Sequence, residues 1–257
     1  MPGTIRGLSR VFTSLAFLTV GSAPVRAQEP FPPVDGEAYP VVNSVAFAPD
    51  GDEIYFAVLY HPHRERRGLP TAEAPVTAMF SVRREGADWA TPRLLPFSGR
   101  FQDYEPTVST DGRLIVFNSK RPYPDGRVPE FNDLWMSRLG TDGILGEPSR
   151  VETITTFEHE ESYPTLSGTG ELVYLTGYPD EGGTIRYDLY HARLQGGSFG
   201  PPERHPISTR RWGEGDPWLS ADGSFLIFTR WDHAAGWAET TDLYISFRQA
   251  DGWSEPT

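Results

Sequence analysis

A cassette of four short segments recurs through this chain, and it constrains the fold more than any other feature of the sequence. Its clearest copy begins at Pro217 and reads Pro-Trp-Leu-Ser-Ala-Asp-Gly-Ser-Phe-Leu-Ile-Phe, followed after a loop by Asp242-Leu-Tyr. Two further copies begin at Pro106 and Pro164, so the three prolines lie 58 and 53 residues apart. A looser copy begins at Asn43. Repetition at such a spacing indicates a repeat architecture.

Each segment of the cassette has the composition of a β-strand or of a turn. Asp-Gly pairs, as at Asp111-Gly112, predict a two-residue hairpin after the first strand, because glycine accepts a positive φ. The run Leu114–Phe117 is apolar on both faces, which predicts a strand between two neighbouring sheets. A proline closes the fourth segment, as at Pro256, and this position suits an outermost strand.

Four short strands in each unit predict an all-β fold, a β-propeller built from four-stranded blades. The four visible blades span approximately residues 43–97, 103–153, 160–208 and 213–257. The chain ends directly after the fourth copy, and propellers have about four to eight blades. We therefore favour an incomplete ring over a closed ring of four blades.

The repeated motif Pro-x-Leu/Val-Ser-x-Asp-Gly-x-Leu-x-Phe, followed by Asp-Leu-Tyr and aromatic-x-x-Pro, resembles the TolB-like (WD-like) propeller repeats of exported bacterial proteins. The resemblance covers residues 43–257, although Gly168-Thr169-Gly170 replaces the turn aspartate and the first copy lacks the opening proline. The resemblance implies the propeller fold. Such repeats occur in binding proteins, in lyases and as lids on peptidases, so it implies one of these roles without choosing between them.

The N-terminal segment has the pattern of an export signal. Arg6 and Arg10 precede the apolar run Val11–Val20, and Ala27 offers a cleavage site, so residues 1–27 are predicted to be a signal peptide. The run is too short to cross a membrane, so no membrane span is expected in the mature chain. Residues 28–42 are a Pro-rich extended lead-in, either a linker or an extra strand. The predicted location is the periplasm or the extracellular space.

The charge of the chain restricts its partners. The formal net charge is −12, and there are no cysteines. An acidic surface repels phosphate backbones, so nucleic acid is not expected as a partner. A protein or carbohydrate ligand is expected instead.

Acidic residues recur at the predicted mouth of the central channel. Three residues before the opening proline stand Asp103, Glu161 and Glu214, and one residue before it stand Glu105, Tyr163 and Asp216. Such a ring could hold Ca²⁺ or a basic ligand. The alternative is that these are turn-capping or solvated carboxylates that recur because the repeats were duplicated. His159 lies beside this ring and could act as a ligand or a base.

Other candidates have simpler structural explanations. The recurrent Asp133, Asp188 and Asp242 are expected to accept backbone hydrogen bonds within their own turns. His61 and His63 lie in an arginine-rich loop, where a surface position is favoured over a metal site. The long loops also carry arginine and aromatic residues that suit either recognition or packing over the rim: Arg121, Tyr123, Tyr178, Arg186, Arg230, Trp231, His233 and Trp237.

The preferred functional hypothesis is an exported, non-catalytic propeller that binds a protein or another ligand through its channel mouth and long loops. No catalytic residue and no resident cofactor are assigned, with Ca²⁺ at the mouth kept open. The alternative is a polysaccharide lyase or glycoside hydrolase on the same scaffold, using His159 and the acidic ring with or without a metal ion.

Overall fold

A computed structural model describes residues 42–59 and 77–257 of the protein. The chain divides into two compact units, Met1–Pro32 and Pro33–Thr257, and every described residue belongs to the second. The predicted signal peptide, residues 28–41 of the lead-in, and the histidine pair His61 and His63 lie outside the described residues. No helix in residues 42–59 or 77–257 is long and apolar enough to span a membrane.

The described residues of the second unit form four antiparallel sheets. The first contains β1 (Val42–Phe47), β2 (Glu53–Leu59), β3 (Thr77–Glu85), β4 (Asp88–Trp89) and β5 (Arg93–Leu94). The second contains β6 (Asp103–Val108), β7 (Leu114–Ser119), β8 (Asp133–Arg138) and β9 (Ser149–Arg150). The third contains β10 (Glu160–Leu166), β11 (Glu171–Pro179), β12 (Ile185–Gln195), β13 (Ser198–Phe199) and β14 (Glu203–Arg204). The fourth contains β15 (Trp212–Leu219), β16 (Phe225–Asp232), β17 (Asp242–Gln249) and β18 (Gly252–Trp253), with a short helix α1 (Trp237–Thr240) before β17.

These sheets are the four blades of a β-propeller, which confirms the predicted fold class. Within each blade the first four strands follow one another in chain order, and β5 and β14 pair with the third strands β3 and β12. The first strands β1, β6, β10 and β15 are the inner strands, and each of them packs against the next. Exposure is high on the far face of the fourth blade, where Leu243 and Phe247 are 58% and 49% exposed.

Apolar second strands hold neighbouring blades together. Strand β7 is buried along its whole length. Ile115 and Phe117 pack toward the first blade, whereas Leu114 and Val116 pack with Leu172 of the third blade. Alternation of side chains along a strand sends successive residues to opposite faces, so both faces must be apolar when both are covered.

The turns after the inner strands are wider than the two-residue hairpins predicted from Asp-Gly. The Ser109 hydroxyl donates to the Asp111 carboxylate at 2.5 Å, and the Gly112 N–H donates to the Ser109 carbonyl at 2.8 Å. The fourth blade repeats this arrangement with Ser220, Asp222 and Gly223. The serine at the start of the motif therefore widens the turn, because its hydroxyl is a second local partner for the aspartate.

Inner strands are also joined to one another through threonine hydroxyls. The Thr107 Oγ1 accepts a hydrogen bond from the Leu166 N–H at 3.2 Å, and the Thr165 Oγ1 accepts one from the Leu219 N–H at 3.0 Å. Each bond crosses from one blade to the next at the same position of the repeat. These contacts set the spacing of the inner strands and thereby the position of the site described below.

Candidate functional site

The inner strands of the second, third and fourth blades share a β-bulge at the residue before the opening proline. The pairing register shifts between Tyr104 and Thr107 in the second blade and at the matching places in the third and fourth. In the first blade the shift lies earlier, between Val42 and Ser44, and Ser44 itself is paired with Ala57. The three bulge residues have a left-handed backbone, with φ of 53° for Glu105, 55° for Tyr163 and 45° for Asp216.

Left-handed backbone is unfavourable for residues other than glycine and costs roughly 1–3 kcal/mol at each position. Hydrogen bonds between blades support it here. The Glu105 N–H donates to the Ser44 hydroxyl at 2.9 Å, and the Tyr163 N–H donates to the Glu105 carboxylate at 3.3 Å. The side chains of Ser44 and Glu105 therefore each support the bulge residue of the following blade.

Two residues before the bulge, the carboxylates have a different environment. Asp103 and Glu214 are completely buried, and each is paired with a buried arginine. Arg121 donates to Asp103 at 2.9 Å and to the Phe97 carbonyl at 2.8 Å. Arg230 donates to Glu214 at 3.1 Å and to the Ile207 carbonyl. In both blades the arginine ties the inner strand to the linker that precedes it.

Glu161 occupies the equivalent place in the third blade, without an arginine. It is 2% exposed and accepts hydrogen bonds from the N–H and the hydroxyl of Thr156, both at 3.1 Å. Burial raises the pKa of Glu161 to about 8, with those hydrogen bonds opposing the shift. The side chains of Asp103, Glu161 and Glu214 therefore each bind groups of their own blade or of the segment before it, and they do not form a shared site.

Glu105 and Asp216, by contrast, are close enough to repel one another. Burial raises the pKa of Glu105 to about 8, and the negative charges of Asp216 and Glu160 add to the shift. Desolvation within the channel also raises the pKa of Asp216, although the Thr229 hydroxyl donates to its carboxylate at 2.8 Å. Tyr163 borders the same acids, and burial together with their charges raises the pKa of its phenol.

Two asparagine side chains complete this group. Asn118 donates its amide N–H to Glu105, and Asn132 donates to Glu160 at 3.1 Å. Both amides also lie within hydrogen-bonding reach of the Tyr104 phenol. We define the mouth cluster as Tyr104, Glu105, Asn118, Asn132, Glu160, Tyr163 and Asp216. The structure thus brings together Glu105, Tyr163 and Asp216 of the sequence-predicted site.

His159 lies at the edge of this region. Its backbone N–H donates to the Thr156 hydroxyl at 3.1 Å, and its ring packs against the Tyr178 ring with centroids 6.0 Å apart. The ligand-binding role predicted for these residues stays a prediction. Within the described ranges, no group of three or more histidine, aspartate or glutamate side chains has the arrangement of a metal site.

The long loops contribute less exposed surface than their sequence suggests. Arg121, Tyr123, Arg230 and Trp231 are between 5% and 7% exposed, while Trp237 is 61% exposed. Arg121 and Arg230 donate to buried carboxylates and carbonyls, the Tyr123 hydroxyl donates to the Thr156 carbonyl, and the Trp231 ring packs against Tyr187. Packing within the protein, and not an exposed recognition surface, therefore accounts for these four residues.

Among the recurrent aspartates of the third strand, Asp188 differs from expectation in its partners. Asp188 accepts two hydrogen bonds from Arg204, at 2.8 and 2.9 Å, and one from the Tyr178 hydroxyl. Backbone capping within its own turn was predicted instead. The arginine lies in β14, so this aspartate fastens the outer edge of the blade to the third strand.

Comparison with known proteins supports the propeller architecture. No protein-family model matches the sequence, and no curated protein matches it. Among solved structures, the chain is similar to a puromycin-hydrolysing peptidase of Mycobacterium tuberculosis, with 15% identity and a TM-score of 0.52 over 84% of this chain and 29% of that one. It is also similar to TolB from Acinetobacter baumannii, with 15% identity and a TM-score of 0.50 over 84% of this chain and 44% of that one.

The chain therefore spans less than half of the length of either structure. One relative is named as a peptidase and the other is TolB, so the shared fold does not select a chemistry. At such low identity the likeness extends to the β-propeller fold alone, and the resemblance to TolB-like repeats stands at that level.

Proposed function

We propose that this chain is a non-catalytic binding module that holds its ligand at the mouth cluster. The single observation that carries the proposal is the convergence of bulge residues from consecutive blades at one place. Left-handed backbone at non-glycine residues is concentrated at functional sites, because the surrounding structure must support its cost. Among the described residues, positive φ values outside glycine occur at Glu105, Tyr163 and Asp216.

The position of the cluster supports the same role. Pairing places Asp103 opposite Ser119 and Ser119 opposite Asp133, so the inner strand begins where the loop between the second and third strands is attached. Tyr163 is 37% exposed there, which leaves an aromatic surface accessible to a ligand. Partly exposed tyrosines are common anchors in binding sites.

An array of peptides and glycans tests this proposal. Labelled full-length protein is applied to spots of basic, acidic and neutral peptides and of neutral and acidic oligosaccharides. We expect binding to one class of spot, and we expect Tyr163→Ala to weaken it by about tenfold because an anchor in the mouth is lost. Ile144 is 56% exposed in the turn after β8, at the opposite end of the blade, so Ile144→Ala serves as the matched control.

Two outcomes would count against the proposal. Signal that falls equally in both variants would place binding outside the mouth, and no signal on any spot would remove support for a binding module of this kind. Cleavage of an oligosaccharide spot by the wild-type protein would favour the alternative of a lyase or hydrolase. That alternative is less supported by the geometry, because His159 turns toward Tyr178 and Arg121 and Arg230 are committed to buried carboxylates.

Export is the second part of the proposal and rests on the pattern of residues 1–27. We expect residues 1–40 to export alkaline phosphatase that lacks its own signal and that is active only outside the cytoplasm. The substitution Leu15→Arg interrupts the apolar run and is expected to abolish that activity. Equal activity with and without the substitution would contradict export by this segment.

A further inference from the structure

A cavity of about 240 Å³ opens between the second and third blades, bordered by the turns that follow β6 and β10. The mouth cluster lies toward the other end of the same inner strands, so the cavity is a separate place in the fold. Leu114, Leu166 and Leu194 line its inner wall. Pockets for drug-sized ligands measure about 300–1,000 Å³, so this cavity has room for a small ligand only.

The turn of the third blade is shorter than that of the second. The Ser109 N–H donates to the carbonyl of Leu114, five residues later, whereas the Ser167 N–H donates to the carbonyl of Glu171, only four residues later. No aspartate stands in residues 168–170, which read Gly-Thr-Gly. The shorter turn leaves space between the two blades, and it removes one negative charge from the border of the cavity.

An arginine at this border lacks the acidic partner that its counterparts have. Strand pairing places an arginine opposite a glutamate in the first and third blades: Arg83 opposite Glu53, and Arg193 opposite Glu171. In the second blade Arg138 is opposite Leu114. Arg138 is exposed and has no ion pair among the described residues. Its guanidinium donates to the Gly197 carbonyl of the third blade and so lies across the boundary.

The charges around the cavity sum to a positive value. Arg113 is a second exposed arginine at the border, and it too has no ion pair within residues 42–59 and 77–257. Asp111 is the acid at this border, and its carboxylate accepts the Ser109 hydroxyl at 2.5 Å and the Arg113 backbone N–H at 3.0 Å. Two guanidinium groups thus face one carboxylate, in a chain whose formal net charge is −12.

We propose that this cavity binds a small organic carboxylate, with the carboxylate group on Arg138 and the apolar part of the ligand along the leucine wall. A guanidinium has five N–H donors, and Arg138 uses one of its terminal nitrogens on Gly197, which leaves donors for a carboxylate. Arg113 adds positive charge beside it. The proposal does not depend on any ligand at the mouth cluster.

An inorganic anion is the less favoured ligand. Phosphate sites in loops are usually built from free backbone N–H groups. Here the turn N–H groups of Gly112, Gly168 and Gly170 already donate to protein carbonyls. An inorganic anion would also leave the leucine wall without a contact. An organic carboxylate satisfies both the arginine and the apolar wall.

A nuclear magnetic resonance titration of the ¹⁵N-labelled full-length chain tests the proposal with three probes. Sodium hexanoate is the organic carboxylate, hexanamide is its neutral control, and sodium phosphate is the inorganic anion, all at constant ionic strength. Chemical-shift changes suit this test because a ligand with few atoms binds weakly. We expect hexanoate to bind at least about fivefold more tightly than hexanamide, because only the carboxylate forms charge-assisted hydrogen bonds.

Two arginine variants locate the site. Arg138→Gln is expected to weaken hexanoate binding by about fivefold or more, because the charged donor is lost. Arg83→Gln is the matched control, since Arg83 holds the equivalent position in the first blade, is 66% exposed and is paired with Glu53 at 2.8 Å. Both substitutions make the same change in net charge, and the melting temperature confirms that both variants are folded.

Each other outcome would overturn the proposal. Equal binding of hexanamide would remove the role of the carboxylate, and binding of phosphate without hexanoate would replace the organic ligand by a simple anion. Equal losses in Arg138→Gln and Arg83→Gln would reduce the effect to net charge. Absence of chemical-shift changes with hexanoate would remove the site altogether. The array with Tyr163→Ala tests the mouth cluster independently of all these results.

Discussion

Replacing Asp103 by alanine is expected to lower the free energy of unfolding by about 3–5 kcal/mol, because the substitution leaves a buried guanidinium without its counter-ion. The Arg121 side chain is 8% exposed and the Asp103 side chain 0%. Two serines add to the loss, since Ser98 and Ser119 donate to the same carboxylate at 2.8 and 2.7 Å. Equilibrium unfolding in urea measures the change.

The exposed pair of Asp125 and Arg127 provides the matched control. Its side chains are 52% and 57% exposed and lie 2.7 Å apart. Asp125→Ala should lower the free energy of unfolding far less than Asp103→Ala, because solvent screens exposed ion pairs. The milder Asp103→Asn keeps the shape of the side chain and provides a measurable value if the alanine variant does not fold. A loss below about 1 kcal/mol in both Asp103 variants would show that Arg121 finds another partner or turns to water.

Stability should fall as the pH rises from about 5 to 8, on the order of 2–4 kcal/mol. Burial raises the pKa of Glu161 and of Glu105 to about 8, well above the ordinary glutamate value of 4.5. A carboxyl whose pKa is raised by folding binds more protons in the folded state than in the unfolded state. Its contribution is therefore complete below the unfolded pKa and is lost as the pH rises through the folded pKa.

The turn aspartates have the opposite effect on the pH dependence of stability, and their effect appears at lower pH. Hydrogen bonds from Ser224 and Ser220 lower the pKa of Asp222 to about 2, and the Ser109 hydroxyl lowers that of Asp111. The stability that these groups contribute is lost as the pH falls below about 4. Maximum stability is therefore expected on the acidic side of neutrality.

A single substitution tests the origin of this pH dependence. Glu161→Gln removes the buried charge, and its amide retains partners in the N–H and hydroxyl of Thr156. The fall in stability between pH 5 and 8 should shrink by about 1 kcal/mol or more, and the variant should exceed the wild type at pH 8. Urea unfolding at a series of pH values measures both. An unchanged profile would mean that Glu161 ionises normally in the folded state.

The repeats were sufficient to predict the architecture because each segment carries its own physical signal. The second strand is apolar on both faces in every copy, and this pattern follows from burial between two sheets. The turns were predicted at the correct places and with the wrong width. The hydroxyl of Ser109 or Ser220, which bonds the turn aspartate, was overlooked in that prediction.

The candidate site was only partly visible in the sequence. Spacing from the proline identified Glu105, Tyr163 and Asp216, but it gave the same weight to Asp103 and Glu214. The arginine partners of these two carboxylates lie at the far end of the same hairpin, where Arg230 is paired with Glu214 across the two strands and Arg121 follows Ser119, the residue paired with Asp103. The spacing of the acidic residues alone does not contain this strand pairing. Arg121 and Arg230 are buried because they form these ion pairs, so their burial could not be predicted from the spacing either.

The sequence analysis did not identify Asn118 as a site residue, although its polar side chain stands out in an apolar strand. The first and third blades have Ala57 and Leu175 at the matching position of the second strand, so a buried asparagine breaks the apolar pattern. A polar residue in such a strand requires partners. A comparison of the second strands of the four copies would have identified Asn118 as an exception, and with it the position of the mouth cluster.

Because every blade is formed from one uninterrupted stretch of chain, its strand pairings join residues that are near in sequence. All-β proteins usually fold slowly, since distant segments must first be brought together. Here hairpins such as β6 and β7 close over short turns, and only the contacts between adjacent blades span a whole repeat. Folding is then expected to start in one hairpin and to spread to its neighbours, as in other repeat proteins. The weakest boundary between two blades, rather than the average core, would determine where the unfolding of this protein begins.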